Sequence, residues 1–435
     1  MNNQGFALTF EHVPTTPLIP ERLSSYAEHI REVIAKKSGP YESGEDALRL
    51  PQDPSVLADV THMVQRYWNT QLRYVIVVGV GGSNLGAKAV YDALRGTLDG
   101  LLDGFPKLIF LDTVSPKLLG DLVRLLEVDV SYKEEIVVNL ISKSGSTTES
   151  VANFEMLYAY LLKRFPNIND RIVVTTEKDS PLSSIAEKHK FGILLHQHVG
   201  GRFSVFSSVG LLPLGLAGID ISSFTEGGKE TLRQCLSGNN QAMQFATSLY
   251  RATKHEVTTV NFFFFNPELE SLGKWARQLY GESLGKEHDK NGKLVHQGIT
   301  PIVSIGSTDL HSMVQLYLGG PRDKFTLFMH VKEASHMHVP ESLIFKNVIS
   351  GINGKQPVAL MDAIYQGVRS AYGKHKLPFA EVGFHAINPY TLGMFLSWQM
   401  LSVVYLAELL HVNAFDQPNV EDYKKVTKQI LESSK

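Results

Sequence analysis

Two stretches of this chain concentrate glycine and hydroxyl residues in a way that suits an anion. The first is Gly79-Val80-Gly81-Gly82-Ser83-Asn84-Leu85-Gly86. Its glycines let backbone N–H groups approach a ligand, a helix starting at about Gly86 adds its dipole, and Ser83 supplies a hydroxyl. The second is Ser142-Lys143-Ser144-Gly145-Ser146-Thr147-Thr148-Glu149-Ser150, with five hydroxyls in the seven positions from 142 to 148. A Ser/Thr-rich turn at a helix start also arises from plain capping, so both readings stand for that segment alone. As a pair, the loops suit a monoester phosphate, for which donors matter more than a large positive charge. A dinucleotide fingerprint fits less well: G-x-G-x-x-G needs glycine at position 84, which is Asn84, and Asp112 lies later than the usual ~20 residues. No G-K-[ST] follows, so the first loop is not a Walker loop either.

Single residues add to this. Arg202 follows Gly200-Gly201, a tight turn that could present a guanidinium, although a loop arginine can equally be a solvated charge. Glu282 falls near the end of a helix, beside the negative dipole end, where a carboxylate is unfavourable unless it is used. His311 is placed by Thr308-Asp309-Leu310 in the first turn of a helix over 309–318, where the dipole favours the neutral ring; packing is the alternative. His330, His336 and His338 could suggest a metal, but no organised carboxylate accompanies them and a surface loop explains them.

The whole chain limits what these residues serve. It has 435 residues, with 42 Lys+Arg against 44 Asp+Glu, a formal net charge of −2. No basic surplus is available to displace counterions from a nucleic acid, so the expected ligand is small and locally held. At 43% hydrophobic and 20% charged, a chain this long exceeds one compact core. The single cysteine, Cys235, rules out an intrachain disulfide and points to a reducing, cytoplasmic setting. The N-terminal sequence lacks the features of a signal peptide. Tyr390–Ala407 carries no charge and could suggest a membrane span, yet Gln399, Gly393 and two serines fit a buried helix of a large domain, and no membrane role is expected.

The elements that must hold the loops appear as short apolar runs alternating with helix-like segments: strands over 73–79, 107–113, 135–142, 171–176 and 193–198, then a second series over 257–265, 299–306 and 324–331. Ser115-Pro116 is a good helix start. Strands without in/out alternation are buried on both faces, which implies parallel pairing covered by helices. The fold expected is α/β, with two doubly wound domains: a helical arm over 1–55, a first domain over 56–225, a second over 226–412, and a helical tail over 413–435. In such sheets ligands bind beyond the C-terminal strand ends, where both hydroxyl loops fall.

Six separated segments then form a recognisable set: GVGGSNLG at 79–86, ISKSGSTTES at 141–150, GGRFS at 200–204, QLYGESLGK at 278–286, TDLH at 308–311 and FDQPNVEDYK at 415–424. In this set and its order, from about Tyr74 to Lys424, the chain resembles the phosphoglucose isomerase family in its shorter bacterial form. The resemblance implies two sugar-isomerase (SIS) α/β sandwiches and interconversion of glucose 6-phosphate and fructose 6-phosphate. It also implies a homodimer whose active site is shared between subunits, and no metal or redox cofactor. By motif, Gly82, Ser83, Ser142, Lys143, Ser144 and Thr147 match the phosphate cradle. Glu282 matches the base that moves a proton between C1 and C2, Arg202 the group that stabilises the enediolate, and Gln278 and Gln417 substrate-contacting glutamines. His311, from the partner subunit, and Lys424 match the ring-opening pair.

The chemistry asks for these types. An acid and base must open the sugar ring, a carboxylate must remove a weakly acidic proton, and the enediolate must meet a fixed charge in a water-poor site. One departure is visible: where the family shows D-Q-x-G-V-E, this chain has Asp416-Gln417-Pro418-Asn419-Val420-Glu421. If the glycine takes φ > 0, Asn is the best-tolerated substitute, and only a small local cost is expected ahead of Lys424. Two rivals differ in class. An SIS amidotransferase would need an N-terminal cysteine, where position 2 is Asn. A non-catalytic sugar-phosphate sensor would not need Glu282, Arg202, His311 and Lys424 together.

Overall fold

The chain enters as strand β1 (Phe6–Glu11), helix α1 (Glu21–Ala35) and helix α2 (Pro54–Tyr67). Alternation then begins: β2 (Tyr74–Val78), α3 (Leu85–Arg95), β3 (Lys107–Leu111), α4 (Pro116–Asp129), β4 (Ile136–Ile141), α5 (Thr148–Arg164), β5 (Ile172–Thr176), α6 (Pro181–His189) and β6 (Gly192–Leu195). Helices α7 (Ser208–Leu216), α8 (Ile221–Leu236) and α9 (Gln241–Thr253) lead to the second series. That series runs β7 (Thr259–Phe264), α10 (Glu270–Leu284), a hairpin of β8 (Lys286–His288) and β9 (Leu294–Gln297), then β10 (Thr300–Ile305), α11 (Val314–Gly319), β11 (Lys324–Val331), α12 (Pro357–Lys374), β12 (Phe379–Phe384), α13 (Pro389–Leu410) and α14 (Val420–Ser433). This computed structural model describes residues 6–14, 21–104, 106–238, 240–331, 336–341, 344, 348–349 and 351–433.

The first sheet has the order β3-β2-β4-β5-β6, all parallel. Every residue of β2 and β4 is buried, including Asn139, whose amide donates to Val173 O (3.2 Å) and Thr175 Oγ1 (3.0 Å). The second sheet has the order β1-β12-β11-β7-β10. Its four later strands are parallel, and β1 joins antiparallel to β12, Phe6 opposite Phe384. Both sheets therefore reverse direction beside their earliest parallel strand, and the crevice at the C-terminal ends of β2 and β4 is where such a fold admits a ligand.

The N-terminal arm departs from the helical expectation. Residues 6–11 are a strand, because FALTFE alternates inward and outward and closes the exposed edge of the second sheet. Of the arm expected over 1–55, residues 1–5 and 15–20 lie outside those described. The helix expected over 309–318 also divides, into a 3₁₀ turn at Thr308–Leu310 and α11. Asp309 folds back to accept from the Ile305 amide (2.7 Å) and the Ser312 hydroxyl (2.8 Å), which occupies the first turn locally.

The apolar segment 390–407 lies in α13, which is buried within the protein. Its one amide side chain has a partner: Gln399 Oε1 accepts from the Tyr280 hydroxyl at 2.8 Å. That bond joins α13 to α10 two residues before Glu282.

Candidate active site

The glycine loop leaves the C-terminal end of β2, and its backbone meets another backbone. A Cβ on Gly82 would stand 2.1 Å from the carbonyl carbon of Gly201 and 2.6 Å from the Arg202 nitrogen. No side chain fits between the two turns, which explains the glycine. Ser204 holds the same junction, its hydroxyl donating to Gly201 O (2.7 Å) and Gly82 O (3.2 Å). Gly81 has φ +60°, and its face is turned to the Gln278 amide. The glycine loop thus lies against both the Arg202 turn and Gln278.

The helix starts differ in how they are capped. Ser115, Ser180 and Ser207 each accept an amide of the helix they precede. Asn84 and Thr147, both good cap residues, make no such bond to α3 or α5. Ser142 instead shares a hydrogen bond with Thr147 (3.2 Å) and accepts from the Gly145 amide (3.1 Å), while Ser144 pairs with Ser146 (3.0 Å). Neither of these two helix N-termini is closed by a side-chain cap. Lys143 stands beside them, partly exposed, its ammonium 3.5 Å from Glu177 Oε1.

Arg202 is 2% exposed, so it is not a solvated loop charge. Its five N–H groups all have acceptors. Nε donates to the Ser283 hydroxyl (2.8 Å), Nη1 to Glu282 Oε2 (3.1 Å) and Gln417 Oε1 (2.5 Å), and Nη2 to the carbonyls of Ala414 (2.6 Å) and Asp416 (3.0 Å). Burial pulls the guanidinium below its ordinary value, and the Glu282 carboxylate pushes back. The other Glu282 oxygen accepts from Gln278 Nε2 at 3.0 Å. Gln278 Oε1 is buried without a hydrogen-bond partner, an acceptor suited to a ligand hydroxyl.

Glu282, Arg202, Gln278 and Gln417 therefore meet in one network, although they come from α10, the 201–206 turn and the segment before α14. Chemically, this places a partly exposed carboxylate against a buried fixed cation, next to the glycine loop. His311 and Lys424 are not brought into it within one chain. His311 is exposed just after the 3₁₀ turn, and Lys424 is exposed on α14, where its ammonium pairs with Glu421 Oε1 at 2.7 Å. Asn419 has no positive φ; its side chain donates to Glu287 Oε2 at 3.0 Å, so no strain arises at the position where the family carries glycine. His336 and His338 are exposed, and among the described residues no group of three or more His, Cys, Asp or Glu converges as metal ligands.

Sequence reasoning passed over Ser283, Asp416 and Lys286. All lie inside the motifs QLYGESLGK and FDQPNVEDYK, so their place in the sequence was the available signal. Burial pulls the Lys286 ammonium below the ordinary lysine value, and a bond to Asp416 opposes the shift.

Comparison with known proteins agrees with this geometry. Residues 63–435 match the family model of phosphoglucose isomerase. A glucose-6-phosphate isomerase of Carboxydothermus hydrogenoformans is 30% identical over 421 residues, covering 94% of this chain and 90% of that one. One of Thermus thermophilus is 30% identical over 423 residues, with 95% and 97% covered. Among solved structures, a hypothetical protein of Thermus thermophilus superimposes with a TM-score of 0.83 at 29% identity, over 98% of this chain and 100% of that one. A glucose-6-phosphate isomerase of Chlamydia trachomatis, at 19% identity, shares the fold with a TM-score of 0.81 over 100% of this chain and 89% of its own. With three of its motifs meeting in one network and the family model matched over residues 63–435, the chain belongs to the phosphoglucose isomerase family.

Proposed function

We propose that this protein interconverts glucose 6-phosphate and fructose 6-phosphate. The observation that carries the reading is the Arg202 guanidinium, buried and bonded to both Glu282 and Gln417, where the glycine loop touches the Arg202 turn. The phosphate is held by the amides and hydroxyls of Gly82, Ser83, Ser142, Lys143, Ser144 and Thr147, which orient the sugar from a distance. His311 and Lys424 open the ring by moving protons at O5 and O1. Glu282 then takes the C2 proton of the open aldose and returns it to C1, and Arg202 stabilises the negative charge on the enediolate between the two steps. Gln278 and Gln417 bind sugar hydroxyls, for which the unpartnered Gln278 Oε1 is suited.

His311 is exposed and apart from the other groups of its own chain, which fits a homodimer in which it serves the partner's site. A fully active sample with a solution mass of one chain would overturn that arrangement. The first domain, over 56–225, supplies the phosphate loops and Arg202, and the second, over 226–412, supplies Glu282. The buried, unpaired Cys235 fits a reducing cytoplasmic compartment.

The test is a coupled assay on fructose 6-phosphate with chelator present. Wild type should turn over, and Glu282→Gln should lose about 10³-fold or more in kcat. A Glu282→Gln variant at the wild-type rate would refute the base. Both proteins inactive yet binding the sugar phosphate would favour a sensor.

A further inference from the structure

We infer that Lys286 is a positioning residue that fastens the end of α10, with Glu282, to the 414–419 segment, with Gln417. The inference rests on the site assigned above. Lys286 is 5% exposed, and its three ammonium protons match three acceptors: Glu282 O (2.6 Å), Asp416 O (2.6 Å) and Asp416 Oδ1 (3.1 Å). A buried ammonium persists only when fully paired, so the lysine holds these groups as firmly as they hold it.

Both carbonyls sit where the chemistry needs them fixed. Glu282 O is among the last four carbonyls of α10, which lack helical partners, and a cation there also offsets the negative helix end. Asp416 directly precedes Gln417, and its carbonyl is shared with Arg202 Nη2 at 3.0 Å. Lys286 and Arg202 thus hold the same backbone atom from two sides.

The next residue on β8 extends the attachment. Glu287 accepts from Asn419, immediately before α14, and α14 has no buried residue of its own. The orientation of Lys424 within the chain then depends on how 416–419 is tied to β8. At 419 the asparagine makes a tether that a glycine cannot. A cleft of about 510 Å³ lies between β8 and 413–419 with Lys286 in its wall, which gives a small cation a route to the space a shortened side chain would leave.

Lys286→Met keeps the apolar stem and removes the ammonium. Its kcat on fructose 6-phosphate should fall about 10²-fold, because a shift near 1 Å in a reacting group has that effect. KM should change by less than about threefold, because the phosphate loops are untouched. In Lys286→Ala, added propylammonium should restore part of kcat through the cleft, which a general packing defect would not allow. If circular dichroism shows that neither variant folds, Asp416→Asn, at a half-exposed position, carries the test. It keeps the carbonyl, loses the ion pair, and should lower kcat about tenfold at constant KM. Glu282→Gln is run alongside. If it stays active, the site reading has failed. If it is inactive while folded Lys286→Met, or Asp416→Asn in its place, keeps kcat within about twofold, the positioning role is overturned.

Discussion

Replacing Gly82 by alanine tests whether the contact between two backbone turns sets the rate. The new Cβ would lie 2.1 Å from Gly201 C, 2.4 Å from Gly201 O and 2.6 Å from Arg202 N. All three are backbone atoms, so no rotamer change relieves the clash. Opening 2.1 Å to the 3.4 Å of ordinary contact needs a shift of about 1.3 Å, borne by the glycine loop, the Arg202 turn, or both. Arg202 holds Glu282 and Gln417 through bonds of 3.1 and 2.5 Å, and a shift of that size exceeds what such bonds tolerate. We expect kcat on fructose 6-phosphate to fall about 10²-fold and stability to drop by about 1–3 kcal/mol, the usual cost of overpacking. Gly120→Ala is the control. It lies inside α4 with open space around its Cβ, so it should leave the rate unchanged and raise stability by up to about 1 kcal/mol. Steady-state kinetics with thermal melts on the same samples decide the matter. A folded Gly82→Ala enzyme within threefold of the wild-type kcat would refute the claim that this contact positions Arg202.

Arg202→Lys keeps the charge but has three donors for five acceptors; kcat should fall about 10²–10³-fold and stability by about 1–3 kcal/mol from carbonyls left unpaired, read by the coupled assay and denaturant melts. Acid should destabilise the fold through His196, which burial, with Lys143 nearby, holds down to about 3 from an ordinary 6.5. The unfolded chain binds this proton below pH 6.5 and the folded chain only near 3. Stability is thus full above 6.5 and is lost as pH falls, by about 2 kcal/mol at pH 5. Denaturant midpoints between pH 7 and pH 5 should fall less in His196→Gln, and equal falls in the two proteins would remove His196 as the cause.

Much of the fold was legible in the amino-acid order because its signals are local. A strand buried on both faces must be largely apolar, so β2, β4, β5, β7 and β11 appear as runs dominated by aliphatic, β-branched and aromatic residues. The two loops at the ends of β2 and β4 stand out as composition, because glycine and hydroxyl residues cluster there. The family motifs likewise singled out Arg202, Glu282, Gln278 and Gln417 before any geometry was known.

What stayed hidden depended on partners distant in the chain. FALTFE becomes a strand because Phe384, far along the chain, offers it a sheet edge. Thr147 and Asn84 look like helix caps, and only the folded loops show their side chains turned from that role. Lys286 looks like an ordinary helix-end lysine until Asp416, 130 residues later, is laid against it. The residue types that a phosphosugar isomerisation needs were thus settled by sequence. Their convergence on one guanidinium, from 80 and 215 residues away, was settled by packing, because burial removes water as the alternative partner and makes each remaining contact obligatory.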